Sequence, residues 1–309
     1  MPQTVNALSS APNALNAAID KRQAELDATL AKAEKELYFL ILANLIERFS
    51  FGKDGSLRRV AKNWLLISTV DSIFDAWSHA EGWDTIADFV RDLLAVAGMT
   101  ALFYEDMADA DKIEEISADN EIILAAIGAT AAGDIIKGSW MWEIWRANQV
   151  RQALKNVLLS AIKSQMTLAE LTATVRQFAV GSGAGGKLTH FWRTYAYDLF
   201  NQVAEVKNEQ FRQALDLHWF IYVGDVIDKT RAFCRPKAGK VFADVEADTE
   251  WPTDPDLIGK TSGIPYTPRI DRGRWNCRHR IRYITRELAV QLDKKKVEAV
   301  EANYGGSGI

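Results

Sequence analysis

The residues of this sequence that could do chemistry concentrate between positions 220 and 286. Among 309 residues there are only two cysteines, Cys234 and Cys277, and both lie in this stretch. His279, one of four histidines, follows the second cysteine by two positions. Thiolate sulfur and imidazole nitrogen are good ligands for zinc. A metal site is therefore one interpretation of this stretch.

Other interpretations of the same three side chains stay open. A metal site with three ligands is incomplete, and Asp225, Asp228 or a water molecule would have to supply the fourth ligand. The two cysteines would also serve as reduced, buried packing residues, or would form a disulfide with each other. A cysteine–histidine catalytic pair would need an exposed thiol of lowered pKa and an oxyanion site, to which nothing in the sequence points.

Charged residues precede the first cysteine in a second pattern. Asp228, Thr230 and Arg231 place a carboxylate and a guanidinium three positions apart. A bidentate pair between these two groups would hold a turn and anchor a neighbouring loop or subunit. A local salt bridge of small energetic value is the alternative.

The downstream end is rich in arginine, although the whole chain has a net charge of −4. The arginines are Arg269, Arg272, Arg274, Arg278, Arg280, Arg282 and Arg286. A solvated strand face would explain them without any ligand. The functional alternative is contact with nucleic-acid phosphates or an acidic protein partner, for which Arg274, Arg280 and Arg282 are the candidates.

Short strands are expected to position these groups. Trp219–Val223 is β-branched and aromatic, as is typical of a strand, and Gly239–Phe242 is a second candidate. In a third, Asn276–Ile284, Cys277 and His279 share one face while arginines occupy the other. Because Pro, Gly and Asp dominate the intervening segment, we expect turns to bring the first cysteine beside the third strand.

The chain upstream of this stretch is predicted to be helical. Apolar residues recur there at helical spacing, with charged residues between them. Thr167 and Glu170 form a capping-box pattern at one helix start. The predicted helices cover about 14–51, 57–80, 84–97, 121–137, 140–164, 168–178, 188–216 and, after the stretch, 287–302. A loose arm (1–12), an acidic solvated connector (106–120) and a glycine-rich flexible joint (181–186) separate or precede them.

Composition limits the class of protein. Apolar residues make up 48% and charged residues 25%, which is ordinary for a globular chain. The start has neither a basic segment nor an apolar run, so no signal peptide is expected. No apolar run reaches the roughly 20 residues of a membrane span. We therefore expect a soluble protein made in a reducing compartment, without membrane contact.

The order of these motifs resembles the signature of the tailed-bacteriophage MuF family of minor head proteins, also called head morphogenesis proteins. The matching pieces are Asp228-x-Thr230-Arg231-x-x-Cys234, Gly239-Lys240-Val241-Phe242 and Asn276-Cys277-Arg278-His279. The helical segment 148–217 is similar to the family's lead-in. Histidine and cysteine interchange in the family at the positions of Cys234 and His279, which favours a metal site, with zinc as its ion.

The predicted fold class is α+β, with a mostly helical N-terminal region and a small C-terminal α+β domain that contains a short β-sheet. The arm at 1–12 is followed by a helical docking region at 13–146. By the resemblance, a MuF-like domain occupies 147–290, with its lead-in at 147–217 and its motif-bearing sheet and loops at 218–286. A terminal helix and tail cover 287–309.

The resemblance implies a component of the virion, made in the bacterial cytoplasm, that acts in head morphogenesis at or near the portal and assists DNA packaging or ejection. Portal protein is the expected partner, with scaffold protein, major capsid protein and phage DNA as further candidates. The motif residues expected to be structural are Asp228, Thr230, Arg231, Gly239, Asn276 and Arg278. No additional domain fits after the motif segment, so no enzymatic activity is predicted.

Two alternatives belong to other functional classes. One is a cysteine-dependent enzyme of the phage particle that uses Cys234 or Cys277 with His279. The other is a DNA-binding module that works through the C-terminal arginines.

Overall fold

The computed structural model of the protein describes residues 5–78, 83–130, 134–183, 185–259 and 265–305. These residues are mainly helical, with a small antiparallel sheet near the C-terminus, so the predicted α+β class is confirmed. The helices are α1 (Val5–Asn44), α2 (Ala61–Leu66), α3 (Thr69–Trp77), α4 (Trp83–Gly98), α5 (Ala110–Ala118), α6 (Glu121–Ile127), α7 (Trp140–Arg146), α8 (Asn148–Ser164), α9 (Leu168–Ala179), α10 (Lys187–Ala214), α11 (Asp244–Glu250), α12 (Pro268–Asp271) and α13 (Arg286–Tyr304). Across these described ranges, each helix is too short or too polar to span a lipid bilayer.

The chain forms two compact units that interleave along the sequence. The first contains residues 1–21, 93–123 and 197–309, and the second contains residues 22–92 and 124–196. The units therefore do not follow the predicted division at residues 146 and 147. The motif-bearing stretch lies wholly in the first unit.

The sheet of the first unit has three antiparallel strands, β1 (Trp219–Val223), β2 (Val241–Ala243) and β3 (Arg280–Ile284), in the order β2-β1-β3. Phe220 lies opposite Phe242 on one side and Tyr283 on the other. β1 has the predicted bounds, whereas β3 begins four residues later than predicted. Residues 275 and 276 form a turn and residues 277–279 have no regular secondary structure, so Cys277 and His279 are not part of a strand.

Both faces of this sheet are covered. Trp219 and Ile221 on one face pack in a buried cluster with Leu288, Val297 and other residues of α13. On the opposite face, the ring of Phe220 lies 5.7 Å from that of Trp251, at a near-perpendicular angle. Every residue of β3 is buried as a result. Side-chain alternation along this strand therefore does not separate a buried face from a solvated one.

Several predicted element boundaries are wrong. The predicted loose arm is helical from Val5, and its first four residues lie outside the described ranges. The acidic connector contains α5, because the Asp109 side chain accepts a hydrogen bond from the Lys112 amide and caps the helix. The predicted helix 140–164 is two helices, which separate at Ala147, where φ is 46°.

The second unit is a helical assembly with the predicted apolar seam. Leu26, Leu30, Ala33 and Leu37 of α1 are buried, and Ile41 continues the seam. At the start of α9 the capping box is present as predicted. The Thr167 hydroxyl accepts from the Glu170 amide, and the Glu170 carboxylate accepts from the Thr167 amide.

A buried carboxylate, that of Glu34, accepts hydrogen bonds from the backbone at the end of the glycine-rich segment 181–186. Glu34 accepts hydrogen bonds from the amides of Gly186, at 2.8 Å, and Thr189, at 2.7 Å, where α10 begins. A side chain at Gly186 would lie 2.0 Å from the Ala179 carbonyl oxygen, so only glycine allows this approach. Burial raises the pKa of Glu34. The carboxylate thus supplies acceptors for backbone amides at the start of α10, directly after the segment predicted to be a flexible joint.

We expect Glu34→Ala to lower the free energy of unfolding by about 2 kcal/mol or more, because two buried amides lose their acceptor. Urea denaturation followed by circular dichroism measures the change. Glu36→Ala, on the same helix but with only a weak pair to Lys32 at 3.8 Å, is the matched control and should have little effect. Equal stability of the two variants would contradict this role for Glu34.

Candidate metal centre

The two cysteines and the histidine of the motif meet in one buried cluster. The ligand atoms of Cys234, Cys277 and His279 all lie within 4.8 Å of one another. The two Sγ atoms are 3.9 Å apart, far beyond the roughly 2.05 Å of a disulfide. Two sulfurs bound to a tetrahedral zinc ion at about 2.3 Å would lie roughly 3.8 Å apart. The cluster therefore has the spacing of a metal centre with reduced cysteines.

Two turns bring these side chains together. Cys234 lies in a turn segment after β1, where its carbonyl accepts from the amides of Lys237 and Ala238. Cys277 lies in a second turn, closed by a hydrogen bond of 3.1 Å from its amide to the Arg274 carbonyl. His279 follows, directly before β3. The first turn leads into β2 and the second into β3, so the sheet sets the distance between them.

Tyr222 of β1 packs against all three members of the cluster. Its hydroxyl lies 3.4 Å from the sulfur of Cys234 and 3.5 Å from that of Cys277. Its ring stacks on the imidazole of His279 with centroids 5.2 Å apart and planes inclined by 6°. No pattern in the sequence marked Tyr222 as part of a site, because its hydroxyl belongs to an otherwise apolar strand.

Gly273 allows the second turn to approach the sulfurs. A Cβ atom at this position would lie 2.6 Å from the sulfur of Cys234 and 3.1 Å from that of Cys277. A side chain at this position would therefore clash with both sulfurs unless the turn moved away. A single glycine between two arginines carries no sequence signal of this contact.

Arg231 ties the first turn to the second. Its guanidinium donates to the carbonyl of Gly273 at 2.8 Å and also to the carbonyl of Trp275. The sequence predicted that Arg231 would pair with the carboxylate of Asp228. Arg231 donates to these two backbone oxygens instead, so it anchors the neighbouring turn without an ion pair. The Thr230 hydroxyl accepts from the Ile227 amide at 2.8 Å and closes its own turn.

The remaining motif residues support the backbone or lie at the surface. Gly239 has φ 76° and donates its amide to the Tyr222 carbonyl at 2.7 Å. Asn276 has a φ of 56°, which asparagine tolerates better than most residues. Its backbone N–H donates to the carboxylate of Asp198 at 2.6 Å. Arg278 is exposed and pairs with Asp20.

The pKa values of the two thiols are shifted in opposite directions. The hydrogen bond from Cys234 lowers the pKa of Cys277, and the nearby Arg272 guanidinium acts in the same direction. The same hydrogen bond and burial raise the pKa of Cys234. Of the two thiols, that of Cys277 therefore loses its proton more readily, and the thiol of Cys234 donates to its sulfur. A metal ion would have to displace this shared proton, which makes metal binding dependent on pH.

The arginines predicted to contact nucleic acid or a partner are buried, so that prediction is wrong for the exposed strand face it assumed. Arg280 and Arg282 lie in β3 with 0% and 3% exposure, and Arg274 is 9% exposed. The Arg280 guanidinium lies 3.4 Å from the Glu205 carboxylate and also donates to Asn16. Arg282 donates to the Phe103 carbonyl. Since helices and loops cover both faces of the sheet, these cations cannot form a solvated stripe.

Glu205 is the shared partner of two buried arginines. Its carboxylate, which is 3% exposed, pairs with both Arg272 and Arg280. Burial raises the pKa of Glu205, and the two guanidinium groups oppose that shift. Burial lowers the pKa of Arg280 to about 10. The residues between these two arginines form the segment that carries Gly273, Cys277 and His279.

A pocket of about 620 Å³ lies against the cluster. Cys234, Cys277 and His279 form part of its wall, and the Nε2 atom of His279 is buried without a hydrogen-bond partner among the described residues. The surrounding charged side chains are Asp20, Asp225, Lys229, Arg231 and Arg278. The centre is therefore accessible from one side although its ligand residues are buried.

We expect Glu205→Gln to lower the free energy of unfolding by about 3–5 kcal/mol, because it leaves two buried guanidinium groups without a compensating charge. Urea denaturation provides the measurement. Glu301→Gln, which removes the partner of the exposed Arg286, is the matched control and should leave the transition nearly unchanged. Similar unfolding midpoints for the two variants would refute the importance of this buried group of one carboxylate and two guanidinium groups.

Comparison with protein-family models, with curated proteins and with solved structures finds no match to this chain. The arrangement that carries most information is the buried cluster of Cys234, Cys277 and His279, joined to Tyr222 and open to a pocket.

Proposed function

We propose that the chain is a MuF-like minor head protein of a tailed bacteriophage, which acts without enzymatic activity in head morphogenesis near the portal and assists DNA packaging or ejection. One observation carries the proposal. Motif pieces that are far apart in the sequence converge on one buried cluster, and Arg231 bonds the first piece to the second. Convergence of this kind supports cohesion of the first unit as the role of the motif.

Zinc is the metal we propose for the cluster. Two sulfurs and an imidazole are a donor set that zinc favours over harder cations such as Mg²⁺ or Ca²⁺. The 3.9 Å separation of the sulfurs is compatible with joint binding to one ion. A bound ion would join the turn after β1 to the turn before β3. Its binding energy would then contribute to folding.

Docking to the portal protein is proposed for the helical second unit. Phe39 and Leu65 there are exposed to 64% and 71% of their possible area. Large apolar side chains at the surface lose unfavourable hydration when a protein partner covers them. Scaffold and major capsid proteins are further candidate partners.

Removal of the metal should destabilise the protein. We expect purified protein to contain about one zinc per chain by elemental analysis, and a strong chelator to lower its melting temperature. His279→Ala should lose the metal and melt at a lower temperature. His190→Ala, at an exposed histidine of the second unit, should keep the zinc content and the melting temperature of the wild type. Purified protein that contains no zinc, and whose melting temperature the chelator does not change, would contradict the metal assignment.

Association with portal protein tests the assembly role. When the chain is co-expressed with the portal protein from its own genome, we expect the two to co-purify. Leu65→Ser and Phe39→Ser should weaken this association without changing the melting temperature, while Lys32→Ser, at an exposed charged position of α1, should not affect it. Absence of the chain from both portal complexes and virions would refute the proposed role.

The pocket favours one second candidate, a cysteine-dependent enzyme. Cys277 has a lowered pKa and lies on the pocket wall. Its side chain is nevertheless buried, with 4% exposure, and is in contact with a second thiol. Cys277→Ala separates the candidates, because a structural role predicts a loss of stability and a catalytic role predicts an unchanged melting curve.

A further inference from the structure

We propose that the metal ion of this centre keeps one coordination position for a ligand from outside the chain, and that this ligand is a carboxylate or another small anion that enters through the pocket. The inference rests on the proposed zinc centre and extends it from a purely structural crosslink to a binding site.

The number of protein ligands is the first argument. In the part of the chain that the structure describes, the cluster of close histidine, cysteine and carboxylate groups contains only Cys234, Cys277 and His279. Zinc in proteins takes four ligands, and sites with three protein ligands hold water or a substrate in the fourth position. Asp225 borders the pocket, but its carboxylate is not among the groups within 4.8 Å of the others.

The packing around the cluster indicates on which side the open coordination position lies. The Tyr222 hydroxyl lies against both sulfurs, and the backbone of Gly273 lies against them from the second turn. Gly224 lies against the His279 ring, since a Cβ atom there would be 2.7 Å from its Cδ2 atom. The pocket borders the same three ligand residues. A fourth ligand therefore has room on the pocket side.

Charge selects the chemical class of the ligand. A divalent ion with two thiolates and a neutral imidazole has no net charge. The pocket lining contributes three cations, Lys229, Arg231 and Arg278, against two carboxylates, Asp20 and Asp225. Asp20 is already paired with Arg278. The site therefore has an excess of one positive charge, which favours an anionic ligand over a neutral or cationic one.

The buried Nε2 atom of His279 is an independent sign of a missing partner. His279 is 6% exposed, and this nitrogen has no hydrogen-bond partner among the described residues. Buried polar atoms are normally paired, and an unpaired one calls for an explanation such as an ion or a ligand. A metal ion at the cluster or a ligand in the adjoining pocket would provide that partner.

Cobalt(II) substitution of the full-length protein tests the proposal. Charge-transfer bands in the near ultraviolet report cobalt–thiolate bonds, and the visible d–d bands report the number and type of ligands. We expect thiolate bands in the wild type and a saturable change of the d–d bands when acetate or azide is added. Lys229→Ala should raise the half-saturating anion concentration several-fold, whereas Lys295→Ala, an exposed lysine of α13 outside the pocket lining, should not change it.

Asp225→Asn distinguishes an outside ligand from one within the chain. If anions change the d–d bands of the wild type and of Asp225→Asn alike, the open position is supported. If only the variant responds, Asp225 occupies the position and the proposal is overturned. If neither responds while the thiolate bands are present, the centre is closed and the proposal fails, although the proposed zinc crosslink survives. Absence of thiolate bands would overturn the metal centre itself.

Discussion

The structure of the first unit depends on one buried carboxylate that holds two cations. Glu205 pairs with Arg272 and Arg280, and the chain between these arginines carries both Cys277 and His279. One side chain of α10 thus holds both ends of the segment that supplies two of the three cluster ligands. A buried ion triad offsets its desolvation cost only with good geometry, so its main effect is to specify where this segment lies.

Residues of the turn after β1 also hold the segment between Arg272 and Arg280 in place. Arg231 bonds to the carbonyls of Gly273 and Trp275, and the sulfurs of Cys234 and Cys277 lie 3.9 Å apart. Among the described residues, the connection from β1 to β2 is formed by turns, and the connection from β2 to β3 contains only short helices, α11 and α12 among them. Contacts between such connections limit the conformations that they can adopt. Ion pairs, a guanidinium on backbone carbonyls and a ligand cluster provide these crosslinks within a small volume.

Cohesion and binding are compatible in such a centre. The ligand residues are buried, so a bound ion would stabilise the fold, yet the pocket reaches the same residues from one side. Tyr222 connects the two properties, because it contacts all three ligand residues and belongs to the central strand of the sheet. A metal ion bound by these three residues would therefore lie one side chain away from the sheet core.

The sequence by itself determined the features that depend on local physics. Helical periodicity predicted most of α1 and α10, the β-branched and aromatic run predicted β1 with its observed bounds, and Thr167 with Glu170 predicted a helix start that is present. Residue chemistry also identified the three residues that meet in the buried cluster, Cys234, Cys277 and His279. Only two cysteines exist, so few combinations had to be considered.

The tertiary structure alone decided which charges are buried and which side chains complete the centre. Alternation along β3 is the same whether one face or both are covered, so the burial of Arg280 and Arg282 followed from packing on both sides of the sheet. Glu205, Tyr222 and Gly273 lie far from one another in the chain, and their roles arise from distances that no local pattern encodes. Those distances are set by long-range burial, which acts on the whole folded unit.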